Sequence, residues 1–238
     1  MILVASTLCR YAMADPDTWG AWLYGAEELR AQSPERVYFF CAIEVDALGI
    51  DPFRPLLDRL NALGGSWMVY SLDDGRTSVT TGNRLAHLTL GQNLCSQRAH
   101  DMGASHMLFM AADCQPPADA LPKLLAVSGG LVGGHVPTYC FAYPEPIATY
   151  GPACPVVEHM PTAAFVLVRR DVFTALRWRT DRDLGMTDDP CYAHDAERLL
   201  GVRPLVRLDV VGKHFPEAIG AIETRYAGRD MSVKRAGA

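Results

Sequence analysis

One segment limits what this chain can fold into: residues 107–117 read MLFMAADCQPP. A run of apolar residues suited to a buried strand leads into one acid, Asp113, and then into a turn closed by two prolines. A carboxylate is costly to bury unless a cation or hydrogen-bond donors meet it. Open α/β sheets bind their ligands at the carboxyl ends of their strands. The segment therefore predicts a buried strand with a binding edge at Asp113.

Strand-like segments alternate with helical segments along the rest of the chain. This alternation predicts an α/β fold with a mostly parallel central sheet covered by helices on both faces. Strands are predicted near Ile2–Ser6, Arg36–Ile43, Trp67–Ser71, Met107–Ala111, Leu131–Val136, Ala163–Arg169 and Leu205–Val210. Helices are predicted at Asp17–Ala31, Phe53–Leu63, Arg84–Met102, Ala118–Val127, Arg170–Leu176 and Asp189–Leu200.

Composition limits the class of protein. The 238 residues allow one α/β domain or two small ones, and no apolar run approaches the roughly 20 residues of a membrane span. The first residues, MILVAST, lack the basic start of a signal peptide and are typical of a first strand. The seven cysteines include no Cys-x-x-Cys, which argues against a disulfide framework and a zinc site. A cytoplasmic setting is therefore predicted.

The centre of the chain resembles a known family of enzymes. The helical segment Asn93-Leu-Cys-Ser-Gln-Arg-Ala99 precedes the strand that ends at Asp113 and Pro116-Pro117. This order resembles the signature of nucleotide-sugar glycosyltransferases with the GT-A fold, especially the family-2-like group. In that family the strand ends in Asp-x-Asp, whereas here Ala111 replaces the first Asp. The resemblance implies that Asp113 holds the position of the direct metal ligand.

Two further motifs follow in the family's order. The segment GMTDDPCYAHDAERLLG ends at Gly201 and resembles the family's Glu-Asp motif at the start of a helix. Asp188 then matches the Glu, and Asp189 matches the Asp that is the catalytic base of inverting members. Because adjacent acids repel, one of the two is expected to have a raised pKa. The other explanation is structural, since acids commonly cap helices.

The remaining implied site residues are distributed over the chain. The resemblance implies that His214 completes a Mn²⁺ or Mg²⁺ site with Asp113, a donor set that suits these ions together with diphosphate oxygens. It further implies nucleotide-sugar contacts by Thr7, Arg10, Glu44, Asp46 and Arg98, and acceptor-side contacts by His159 and Thr162. Arg98 could instead form a salt bridge with a nearby acid. A further segment, Asp73-Asp74, resembles the family's Asp-Asp-Gly-Ser motif but could be a plain turn.

A long segment, Pro137–Pro161, is predicted to be an irregular connection with six prolines. Loops of this length in compact domains are usually functional or disordered. Its aromatic residues favour an ordered binding loop on the acceptor side.

The resemblance implies one GT-A-like domain over residues 1–238. Residues 1–117 would form the nucleotide-sugar-binding half, 118–224 the acceptor and catalytic half, and 225–238 a tail. The implied activity is metal-dependent transfer of a sugar, hexosyltransferase-like and inverting, from a nucleotide-diphosphate donor to a hydroxyl. A UDP-sugar is the favoured donor, and the acceptor is open, with nucleic acid among the candidates.

Two other functions stay open. A nucleotidyltransferase has a related sheet but would want a glycine-rich loop after the first strand, and residues 5–10 contain no glycine. A non-catalytic nucleotide-binding remnant of the fold is suggested by Ala111. The chain has no P-loop and no Gly-x-Gly-x-x-Gly, so neither Walker-type phosphate binding nor Rossmann hydride chemistry is indicated.

Overall fold

The computed structural model describes most of the chain. It covers residues 1–8, 16–33, 35–45, 50–71, 84–112, 114–137, 143–181 and 183–214, without the side chains of residues 16–21, 52, 84 and 214. The strands are β1 Ile2–Leu8, β2 Val37–Glu44, β3 Ser66–Tyr70, β4 His106–Met110, β5 Cys114–Gln115, β6 Leu131–His135, β7 Val156–Glu158, β8 Phe165–Arg169, β9 Pro204–Val211 and β10 Lys213–His214. The helices are α1 Pro16–Gln32, α2 Arg54–Ala62, α3 Arg84–Asp101, α4 Ala120–Leu125, α5 Arg170–Ala175 and α6 Asp188–Leu200, with single 3₁₀ turns at Asp51–Phe53 and Ala148–Tyr150.

Eight strands form the main sheet, in the order β3-β2-β1-β4-β8-β6-β9-β7. Strands β3, β2, β1 and β4 are parallel, as are β6 and β9. Strand β8 is antiparallel to both β4 and β6, and β7 is antiparallel to β9. The short strands β5 and β10 pair antiparallel outside this sheet. The sheet is therefore mixed but mostly parallel, as the sequence predicts.

Helices cover both faces of the sheet. One core cluster contains residues of α1, α2 and α4, including Trp22, Leu56 and Leu121. A second contains residues of α3, α5 and α6, including Cys95 and Phe173. Every residue of β1 is buried, as expected for a strand covered on both sides. Strands from both predicted halves lie in this one sheet, and the division at residue 117 stays a prediction.

The predicted elements are confirmed, with ends that differ by at most two residues. Three short strands, β5, β7 and β10, are absent from the prediction. The prediction that Pro137–Pro161 is irregular throughout is wrong, because it contains the 3₁₀ turn Ala148–Tyr150 and β7. Three residues are too few to show an alternating pattern, so only pairing with β9 reveals β7. Within the described residues, no helix is both long and apolar enough to cross a membrane.

Candidate functional site

The candidate site lies at one edge of the main sheet, which we call the carboxyl edge. It is the edge where β1, β2, β3 and β4 end, and the opposite edge is called the amino edge. Because β8 is antiparallel to β4, it begins at the carboxyl edge, and β6 and β9 end there. Helix α3 runs back from this edge, since His87 and Gly91 in its first half lie against the ends of β2 and β1, and its last turn reaches the start of β3.

Helix α3 approaches the end of β1 closely at Gly91. A Cβ at this position would overlap the side chain of Thr7 and lie 2.7 Å from the hydroxyl of Tyr70. Thr7 is buried, and its hydroxyl lies 3.9 Å from the sulfur of Cys95, whose pKa burial raises to about 12. The predicted nucleotide residue Thr7 is therefore at the carboxyl edge, under the first half of α3.

A buried contact between a carboxylate and an imidazole joins β2 to α3. The carboxylate of Glu44 lies 2.5 Å from Nδ1 of His87, and both side chains are fully buried. Separating the two buried groups would leave each without its partner, which is costly. The contact therefore fixes the start of α3 against the end of β2. The structure places Glu44 at the predicted edge, and its contact with a nucleotide stays a prediction.

The acidic pair opens helix α6, as predicted. Asp188 is buried, and its Oδ2 accepts a hydrogen bond of 2.7 Å from Nε2 of Gln92 on α3. The other amide atom of Gln92, Oε1, is buried without a hydrogen-bond partner in the described part of the chain. The pair Gln92–Asp188 thus ties the middle of α3 to the first turn of α6.

Asp189 contacts the turn before β8. Its Oδ2 accepts a hydrogen bond of 2.9 Å from the backbone N–H of Ala163. Burial raises the pKa of Asp189 well above its usual value, and the charge of Asp188 raises it further, although the Ala163 N–H opposes the shift. The predicted raised pKa in this acidic pair is therefore confirmed for Asp189.

A cavity of about 10 Å³ adjoins Asp189. Its other walls are mostly apolar side chains, from Leu131, Pro161, Ala163, Val166, Trp178, Tyr192 and Ala193. This volume is close to the minimum that holds one water. The apolar surroundings account for the cost of ionising Asp189 at this position.

The residues predicted to bind a metal are within or next to the β5–β10 pair in the sequence. In the β5–β10 pair, His214 is directly opposite Cys114, the residue after Asp113. Asp113 itself and the side chain of His214 lie outside the described residues. In the part of the chain that is described, no three His, Cys, Asp or Glu side chains are grouped to hold a metal ion. A carboxylate and an imidazole are a donor set that suits Mn²⁺ or Mg²⁺ when a diphosphate supplies the other oxygens.

One predicted acceptor residue, His159, belongs to an aromatic cluster. Tyr143 is edge-on to His135 and to His159, with ring centroids 5.1 and 5.0 Å apart, and its hydroxyl lies 3.0 Å from Nδ1 of His135. Burial lowers the pKa of His135 and raises that of Tyr143, so both rings are uncharged near neutral pH. Thr162 is buried, and within the described ranges its hydroxyl has no hydrogen-bond partner.

The structure places Arg98 beside the start of β3. Arg98 lies in the last turn of α3 and donates a 3.4 Å hydrogen bond to the hydroxyl of Ser66, the first residue of β3. Ser66 pairs with Phe40 in the middle of β2, and the contact of Arg98 with a donor diphosphate stays a prediction. The predicted positions Arg10, Asp46 and Asp73-Asp74 lie outside the described residues.

Four residues of this edge are absent from the sequence prediction as site residues: Gln92, His87, Tyr143 and His135. Gln92 is one residue before the segment that carries the family resemblance, and Tyr143 is one of the aromatic residues within Pro137–Pro161. Each acquires its contact from a residue distant in the sequence or on another element. A polar residue on an otherwise buried stretch of helix, such as Gln92, was the available signal.

Solved structures share this fold at low sequence identity. A mannosyltransferase from Pyrobaculum calidifontis, in complex with GDP-Man and Mn²⁺, matches 95% of this chain at 15% identity with a TM-score of 0.51. The chain spans 60% of that enzyme's length. A nucleoside-diphosphate-sugar pyrophosphorylase from Vibrio cholerae RC9 matches 93% of this chain and 99% of its own at 9% identity, with a TM-score of 0.50.

No protein-family model matches the sequence, and no curated protein sequence matches it either. At identities of 15% and 9%, a structural likeness shows the fold alone. The solved structures that share it include nucleotide-sugar transferases and pyrophosphorylases. The chain therefore has a GT-A-like α/β fold, with a mostly parallel central sheet and helices on both faces.

Proposed function

We propose that this chain is a metal-dependent glycosyltransferase that moves a sugar from a nucleotide-diphosphate donor to an acceptor hydroxyl with inversion. The observation that carries the proposal is the β5–β10 pair, which puts His214 opposite the residue after Asp113. These residues are about 100 positions apart, and the resemblance alone assigned both to one metal site. Their backbone adjacency supports that assignment because a shared ion needs both groups within a few ångströms.

Asp113 and His214 would hold the ion, with Mn²⁺ or Mg²⁺ both suited to this donor set. When bound, the ion supplies Lewis-acid stabilisation of negative charge on a departing diphosphate. Thr7 and Glu44, at the ends of β1 and β2, would contact the nucleoside.

Asp189 would accept the proton of the acceptor hydroxyl as that oxygen attacks the anomeric carbon. A base must be unprotonated to act, and a raised pKa brings an aspartate closer to the pH at which it transfers protons efficiently. Asp188, held by Gln92, fixes the start of α6 and supplies the charge that raises the pKa of Asp189. His159 and Thr162 would contact the acceptor. The hydroxyl of Thr162 is buried and has no hydrogen-bond partner in the described part of the chain.

Calorimetry of UDP and GDP binding in the presence of Mn²⁺ tests the metal site. We expect Asp113→Ala to weaken nucleotide binding by roughly tenfold or more, because a lost metal ligand removes charge compensation from the diphosphate. His214→Ala should weaken it as well. Two matched controls, Asp171→Ala and His106→Ala, change the same residue types at the amino edge and should bind like the wild type. Unchanged affinity in Asp113→Ala would overturn the site.

A nucleotidyltransferase is the second candidate, and the match to 99% of the pyrophosphorylase from Vibrio cholerae favours it. Incubation with sugar 1-phosphates, nucleoside triphosphates and Mn²⁺ distinguishes the two reactions. If pyrophosphate is released and UDP- and GDP-sugars are not hydrolysed, the nucleotidyltransferase replaces the glycosyltransferase as the proposed function. Nucleotide binding with neither reaction would indicate a non-catalytic remnant of the fold.

A further inference from the structure

A cavity of about 260 Å³ lies between helix α1 and the β5–β10 pair, on the opposite face of the sheet from α6. Helix α1 contributes Tyr24 and Glu28, strand β5 contributes Gln115, and strand β10 contributes Lys213. Pro116 and Pro117 form a further wall. Prolines have a fixed φ and few conformations, so this wall is rigid. The cavity is far larger than the one beside Asp189 and can hold a small organic ligand.

Four kinds of polar group face this cavity: a phenol, a carboxylate, an amide and an ammonium. Within the described part of the chain, the side chains of Tyr24, Glu28, Gln115 and Lys213 form no hydrogen bond or ion pair with another residue. Elsewhere on the same elements, comparable groups are paired, such as Glu27 with Arg59. Four unpaired polar groups around one concavity are the arrangement of a binding site with a few convergent polar contacts.

The charges and the aromatic ring indicate the class of ligand. Glu28 and Lys213 carry opposite charges, so the cavity has no net charge that favours an anion or a cation. The amide of Gln115 both donates and accepts hydrogen bonds, as hydroxyl groups do. Tyr24 is 52% exposed and offers an apolar ring with a polar end. A neutral ligand with many hydroxyl groups and an apolar ring face matches this set.

The cavity adjoins the proposed metal site along the backbone. In the sequence, Gln115 is two residues after Asp113, and Lys213 directly precedes His214. We propose that this cavity binds a neutral carbohydrate.

Saturation-transfer NMR with neutral tetrasaccharide probes tests the inference directly. Maltotetraose, cellotetraose and mannotetraose are the saccharide probes, and free lysine and glycine are zwitterionic probes. We expect at least one tetrasaccharide to bind the wild type, and Tyr24→Ala and Gln115→Ala to weaken that binding by about tenfold or more. Gln97→Ala is the matched control, because it removes an amide from α3 on the other face of the sheet.

Two results would overturn the inference: no tetrasaccharide binds, or binding is the same in Tyr24→Ala and Gln115→Ala as in the wild type. Binding of lysine or glycine alone would also overturn it, because the ligand class would be wrong. UDP and GDP titrations on the same variants separate this inference from the proposed function. A wild type that binds saccharide through Tyr24 but no nucleotide would end the transferase proposal and leave the carbohydrate site established.

Discussion

The two edges of the main sheet differ in how they hold polar groups. At the amino edge, ion pairs are exposed, such as Arg169 with Asp171 at 2.7 Å and the Met1 amine with Glu35 at 3.0 Å. At the carboxyl edge, Glu44 and His87 are fully buried against each other, and Gln92 holds Asp188 below the surface. Exposed pairs contribute about 0–1 kcal/mol, whereas buried polar groups are costly unless matched.

This difference suggests where function lies. A chain selected for stability alone would fill the carboxyl edge with apolar residues, since replacing a buried ion pair by apolar packing is often neutral or stabilising. Sequences tend to break such packing rules at functional sites. The carboxyl edge is thus the place where substitutions should separate activity from stability.

The largest effect is expected for Asp189→Asn. The amide retains an oxygen that can accept the Ala163 N–H but cannot take a proton from an acceptor, so the transfer rate should fall about 10²–10⁴-fold. Nucleotide affinity should stay unchanged. Single-turnover transfer paired with nucleotide titration measures both quantities. Asp171→Asn, a control at the amino edge, should be fully active, and full activity in Asp189→Asn would remove the base from this residue.

Next in size is the effect of Gln92→Leu on stability. This substitution keeps the side-chain volume but leaves the buried carboxylate of Asp188 without its donor, which should lower the free energy of unfolding by about 1–3 kcal/mol. At the amino edge, Arg169→Gln removes an exposed pair and should cost less than about 1 kcal/mol. Urea unfolding of both variants measures the difference. Equal losses would contradict the contrast between the edges.

Replacing one glycine at each edge with alanine compares the two edges by steric overlap. In Gly91→Ala, the added Cβ would overlap Thr7 and approach Tyr70, and overpacking of this kind costs about 1–3 kcal/mol. Gly103 near the amino edge has φ +68°, and a Cβ there would meet only Arg170 at 3.6 Å. Gly103→Ala should therefore cost about 1–2 kcal/mol from backbone conformation alone. Thermal unfolding tests stability, and only Gly91→Ala should also weaken nucleotide binding.

The smallest effect is a shift in the pH profile of transfer. Asp189 acts only when unprotonated, so kcat/KM should rise with pH through its raised pKa and level off above it. Asp188→Asn removes the neighbouring negative charge, which lowers the pKa of Asp189 and moves the rising limb to lower pH. A pH–rate series on the wild type and Asp188→Asn measures this. If the rising part of the profile stays in place or moves to higher pH in Asp188→Asn, the charge of Asp188 does not raise the pKa of Asp189.

Much of the fold was predictable because its signals are local. Apolar runs such as Val37–Glu44 and Phe165–Arg169 are long enough to identify strands, and Gly201 ends α6 in a left-handed conformation, φ 65°, as a helix-terminal glycine does. The lone acid after β4 and the acidic pair at the start of α6 were identified by the same local means. Strands of two or three residues have no such pattern, which explains why β5, β7 and β10 were missed.

The amino-acid sequence by itself determined which segments become strands and helices and in which order the candidate motifs occur. Only the tertiary structure decided that Gln92 meets Asp188, that His214 lies opposite Cys114, and that Arg98 reaches Ser66. These contacts join residues up to 100 positions apart, and no local propensity encodes them. They depend on how the strands pair and on which helix end reaches which edge, and both follow from packing the two core clusters against the sheet.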